Sequence, residues 1–197
     1  KSLYQESTRW KKRLQDCPKP RLAILLGGPI KGFRFNKTDV EAMLQPALDL
    51  ALEKNYSLMV TTSIRTPAEI TKTARRLLNT KQIKHYFWTG EDPLQRDNPF
   101  LAFLADAEAV IVSADSISMI SESCSAHKPV YVWGMNTMPR QKFKTFYDIL
   151  KKQSRILDWT PQNAQKLPLR PPPYPLADTA SVASFVKDQW AKRQANK

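Results

Sequence analysis

The sequence predicts an α/β protein built on a doubly wound, Rossmann-like parallel sheet of about five strands. From residue 22 onward, short apolar runs alternate with polar loops and helical stretches. The runs are Leu22–Leu26, Tyr56–Thr61, Ile83–Trp88, Ala109–Ser113 and Val130–Trp133. They are continuous rather than alternating, as strands covered on both faces are. The stretches between them carry helix-start signals, and strand–helix–strand units imply right-handed crossovers.

Taken in order, Leu3 to Leu14 reads as an exposed helix, so residues 1–20 form a helix and linker ahead of an α/β domain over 21–155. Thr38-Asp39-Val40-Glu41 has capping-box spacing and opens a helix with Val40, Leu44, Leu48 and Ala51 inward, which Pro46 should kink. Thr66-Pro67-Ala68-Glu69 has the same spacing with proline at the first helical position, followed by Ile70, Ala74 and Leu77. Asn98-Pro99 opens a third helix, Asp115 or Ser116 a fourth, and Arg140–Lys152 forms a fifth. A proline-rich connector is expected over 156–177, then a helix over 178–197 with Val182, Phe185, Val186 and Trp190 on one side.

Composition narrows the function. The chain has 197 residues, 31 basic and 18 acidic, for a net charge of +13. A hydrophobic share of 42% is that of a globular protein, and no apolar run has the length of a membrane span. Two cysteines and two histidines provide neither a disulfide framework nor a metal centre, and they point to a reduced, cytoplasmic setting. The basic residues crowd the N-terminus and the segment 140–155. That surface is either simply solvated or faces a polyanion, whether a phosphorylated small molecule or an anionic membrane. Zinc-finger and RRM signatures are absent, so specific nucleic-acid recognition has no support. The first residue is Lys1, which suggests a piece of something longer.

Ligands of open parallel sheets bind at the carboxyl ends of the strands, and three of the loops expected there carry chemistry. Gly27-Gly28-Pro29-Ile30-Lys31-Gly32-Phe33-Arg34 is either a plain glycine turn or an anion site with Lys31 and Arg34 beside it; it lacks the Lys-Ser/Thr of a P-loop. Thr62-Ser63-Ile64-Arg65-Thr66 offers hydroxyls and an arginine before a helix, an anion pocket by donor count, although Thr66 could simply cap. Ser113-Ala114-Asp115-Ser116-Ile117-Ser118-Met119-Ile120-Ser121-Glu122 could hold a diphosphate on its helix-start amides and a ribose on Glu122. The competing view is that Asp115 and Ser116 only cap and Glu122 only faces water. Nucleophilic catalysis has no support, since there is no G-x-S-x-G elbow and neither histidine has an evident carboxylate partner.

Ser118 to Glu122, with Lys128-Pro129-Val130 leading into a strand, resembles the nucleotide-sugar half of a GT-B glycosyltransferase. The departures are Asp115-Ser116 where that superfamily has paired glycines and His127 where it has glycine. The three motifs in this order are similar to those of the mitochondrial-fission-factor-like, or "elongated mitochondria", family. That resemblance implies the C-terminal lobe of a GT-B-like fold and a nucleotide-diphosphate sugar as ligand, with no other cofactor. Gly27 and Gly28 would lie near the diphosphate, Ser118 and Met119 would hold phosphate, and Glu122 would hold ribose. Arg34, Arg65 and Arg140 would neutralise charge, and an N-terminal lobe would lie outside this chain. The family also implies the alternative of a non-catalytic module, peripheral to an anionic membrane, that recruits partners such as fission machinery.

Overall fold

All five apolar runs become strands, and a sixth joins them. β1 (Arg21–Leu26), β2 (Ser57–Thr62), β3 (His85–Trp88), β4 (Ala109–Ser113), β5 (Val130–Trp133) and β6 (Ile156–Asp158) form one sheet in the order β3-β2-β1-β4-β5-β6. Every neighbouring pair is parallel. This is the Rossmann order, with its topological switch between β1 and β4. The computed structural model describes residues 2–91, 97–139 and 141–167. Arg140, residues 168–177 of the expected connector and the helix expected over 178–197 lie outside the described residues.

The helices are α1 (Leu3–Trp10), α2 (Lys37–Lys54), α3 (Ala68–Thr80), α4 (Phe100–Asp106), α5 (Ile117–Ser125), α6 (Gln141–Lys152) and α7 (Pro161–Ala164). Right-handed crossovers put α2 and α3 on one face of the sheet and α4, α5 and α6 on the other. α7 packs against α2, and α1 against α4. The central strands β1, β2 and β4 are buried along their whole length, as their continuous apolar runs require.

The expected sheet of about five strands is present with a sixth, β6, which is hidden in the sequence because Ile156 alone of its residues is buried, too little for an apolar run. Three expectations need correction. The N-terminal helix is exposed on one side only: Trp10 is 1% accessible, and Leu14 just beyond the helix 0%. Trp10 meets Tyr86 edge-on, and the buried Arg21 joins Asp106 of α4 to the Leu14 carbonyl. α2 begins earlier than Thr38, because Asn36 and Asp39 form a reciprocal capping box, and the helix continues through Pro46. Thr66 does not cap α3, whose N-cap is Pro67 without a side-chain bond. Its hydroxyl is used elsewhere.

Candidate functional site

At the switch point the loops after β1, β2 and β4 are tied together by one carboxylate. Asp115 Oδ2 accepts from the Gly28 amide at 3.1 Å and from Arg65 Nη2 at 2.7 Å, while Oδ1 accepts from the Ser113 hydroxyl at 2.6 Å. Ser113 Oγ in turn accepts from the Gly27 amide at 2.8 Å. The Asp115 side chain is fully buried, and Arg65 is 38% exposed above it. Tyr147 of α6 supports the loop from below by donating to the Ala114 carbonyl. Burial first, and the Asp115 charge second, push the Tyr147 phenol well above its ordinary pKa.

The glycines are needed here for space. A Cβ on Gly27 would fall on the Asp115 carboxylate, and one on Gly28 on the Arg65 carbonyl. Thr66 adds a second tie: its hydroxyl reaches the Leu26 and Gly27 carbonyls and accepts from the Ser63 amide at 2.9 Å. Ser63 Oγ caps the Arg65 amide at 3.2 Å. The amides of Gly27 and Gly28, read from sequence as a phosphate cradle, are therefore already donated inside the protein.

Beside this hub, a cleft of about 530 Å³ opens over the carboxyl ends of β2 and β3 and reaches α4 and α5. Thr62 and Ser63 line it from one side, Met119 and Glu122 from the other. Glu122 is exposed, and its carboxylate has no hydrogen bond or ion pair among the described residues. Ser116 N-caps α5, with its Oγ 3.4 Å from the Met119 amide and 3.2 Å from the Ser118 hydroxyl, and Ser118 itself is exposed. The geometry thus unites Gly27, Gly28, Arg65, Thr66 and Asp115 in a buried hub, and Thr62, Ser63, Met119 and Glu122 around a cleft. Lys31 and Arg34 are exposed on the β1–α2 loop, outside the cleft lining.

Sequence reasoning missed Ser113 and Tyr147 as supports of the hub. It also missed Ile64, Trp88, Thr89, Asn98 and Phe100, which with Thr61 and Gly90 complete the cleft. The available signal was a tryptophan ending a strand and followed by Thr89-Gly90, at a carboxyl edge already expected to bind. Among the described residues no group of three or more His, Cys, Asp or Glu could hold a metal, and no helix is long and apolar enough to cross a membrane.

A family model described as "Mitochondrial fission ELM1" matches residues 1–190. The chain belongs to the mitochondrial fission ELM1 family. Within it, the chain is 31% identical over 192 residues to the mitochondrial fission protein ELM1 of Arabidopsis thaliana, covering 98% of this chain and 43% of that protein. It is 27% identical over 168 residues to an uncharacterized protein of Rickettsia prowazekii (strain Madrid E), covering 84% and 45%. This ELM1-family chain therefore spans less than half the length of both curated relatives. Among solved structures, it is similar to the UDP-GlcNAc 2-epimerase of Neisseria meningitidis bound to UDP-GlcNAc, with a TM-score of 0.46, 14% identity, and 94% and 52% of the two chains covered. It is also similar to POFUT1 in complex with GDP-fucose, with a TM-score of 0.37, 14% identity, and 62% and 42% covered.

Proposed function

We propose that this chain is a nucleotide-sugar-binding domain, one GT-B-like lobe of a longer ELM1-family protein. The observation that carries the reading is Glu122, an unpaired carboxylate one turn inside α5 that lines a cleft at the carboxyl edge of a Rossmann-ordered sheet. A carboxylate offers acceptors to both hydroxyls of a ribose. Trp88 and Phe100 give the same cleft apolar surface for a base. The start of α5, with the exposed Ser118 hydroxyl, suits a diphosphate, and Arg65, Lys31 and Arg34 are the cations on the neighbouring loops. Asp115, Thr66, Gly27 and Gly28 act through position, holding those loops in register. What is proposed is binding; no described residue is assigned a chemical step.

Isothermal titration with UDP-, GDP-, ADP- and CMP-sugars tests this. At least one should bind, and Glu122→Ala should weaken it by tenfold or more, since hydrogen bonds to a charged acceptor contribute about 1.5–3 kcal/mol each. Absence of binding across the panel, or affinity indifferent to Glu122→Ala, overturns the reading.

One observation favours the second reading, a module resting on an anionic membrane. Lys142, Lys144 and Lys152 are exposed on α6 together with Asp148, as is Ile149 at 50% accessibility, a net basic surface with an apolar residue for the interface. That reading requires salt-sensitive flotation with anionic liposomes that survives Glu122→Ala.

A further inference from the structure

The cleft carries a group that can discriminate between bases. Asn98 lines it, and its Oδ1 accepts the Phe100 amide at 2.9 Å. A backbone N–H must meet an oxygen, so this bond fixes which end of the amide is which. Asn98 Nδ2 has no partner among the described residues, and it is the end left to meet an occupant. Elsewhere in the cleft, Thr61 and Thr62 already donate their hydroxyl protons to the carbonyls of Thr62 and Thr89. Asn98 thus keeps both N–H donors free beside the cleft, while one lone pair of its oxygen is held by the Phe100 amide.

We infer that Asn98 selects a nucleotide whose base turns a carbonyl toward it, a keto base of the uracil or guanine type, over one that turns an amine, of the cytosine or adenine type. The inference rests on the nucleotide-binding reading and adds the base class to it. A carbonyl oxygen accepts from Nδ2; an exocyclic amine would face donor against donor, with one of the two left unpaired. Asn98 is exposed, so water can serve the group left over, and the discrimination is that of one hydrogen bond rather than of a buried unpaired group. Trp88 and Phe100 supply apolar contact that any base can use, so they add affinity without choosing between these classes.

The test uses the 197-residue chain and four nucleoside diphosphates in two pairs matched in size, UDP with CDP and GDP with ADP. The keto member of the better-binding pair should bind about tenfold more tightly, the scale of one hydrogen bond made against one left unmade. Asn98→Asp is the decisive variant. Its carboxylate still accepts the Phe100 amide, so the local fold is retained, but the other end becomes an acceptor and the order within the pair should reverse. A thermal melt of the variant confirms that it folds. Equal affinities within both pairs, or a keto preference that survives Asn98→Asp, overturn the base assignment; if Glu122→Ala still weakens binding, the nucleotide reading stands without it. If none of the four binds, the nucleotide reading falls and the base assignment falls with it.

Discussion

Replacing Asp115 by alanine removes the group on which three loops converge. The Gly28 amide, buried and 3.1 Å from Oδ2, is left without an acceptor, at about 2 kcal/mol. The Ser113 hydroxyl loses a 2.6 Å bond to a charged acceptor but can turn toward another, so its share is about 1 kcal/mol. Arg65 loses a 2.7 Å ion pair, yet at 38% exposure its guanidinium regains water, which holds its share to about 1 kcal/mol. The expected loss is therefore about 4 kcal/mol, before any cavity term. Asp115→Asn should cost roughly half as much. Its oxygen can keep Gly28 and Arg65 while its amide faces Ser113 Oγ, which can accept. Urea denaturation followed by tryptophan fluorescence measures both. A loss under about 1 kcal/mol for Asp115→Ala, or equal losses for the two variants, would refute the view that this carboxylate ties the loops through directed hydrogen bonds.

Two further outcomes follow from the same geometry and from burial. Gly28→Ala places a methyl on the Arg65 carbonyl, which is backbone and cannot swing away, so the melting temperature should drop by 5 °C or more, about 2 kcal/mol at this chain length; a drop of less than 2 °C would show that the β2–α3 loop yields freely. Burial pushes the Cys17 thiol up to about 11 from an ordinary 9.0, so the folded state holds that proton more tightly than the unfolded one. Its contribution to stability is complete below pH 9 and declines from there to about pH 11, by up to about 1.4 kcal/mol per pH unit. Tyr131 and Tyr147, raised by burial, act in the same direction. Melting temperatures between pH 8 and 10.5 should fall, less steeply in Cys17→Ala; parallel curves would refute the assignment to Cys17.

The strands were legible because burial on both faces leaves an unbroken apolar run, and β1, β2 and β4 have one. β6 was not, since Leu157 is 42% exposed and the strand has three residues. α1 was misread because Arg9, Lys11, Lys12 and Arg13 surround its one tryptophan. Those charges do not imply exposure of the core face: Arg13 lies over the Trp10 ring at 4.7 Å, and Arg9 reaches Asp97 at 2.6 Å. Part of the N-terminal basic cluster is thus engaged in the fold. The three motifs were visible as positions, but their division of labour was not. Gly28 and Asp115 lie 87 residues apart, and no local spacing reveals that the amide of one is spent on the carboxylate of the other.

That division answers a difficulty in the nucleotide-binding reading, which is that a carboxylate lies at the heart of a site meant for a diphosphate. Asp115 has no exposed side-chain surface, and its charge is met by the Gly28 amide, the Ser113 hydroxyl and Arg65. The group that meets solvent above it is the Arg65 guanidinium. A bound phosphate would therefore face a cation held in a fixed orientation, and the repulsion from Asp115 would be screened by the pairing that fixes it. An arginine anchored in this way gives up little side-chain entropy on binding, whereas Lys31 and Arg34, exposed on the β1–α2 loop and without an ion pair among the described residues, would have to be ordered by the ligand. Asp115 is in these terms compatible with anion binding, because it positions the cation instead of meeting the ligand.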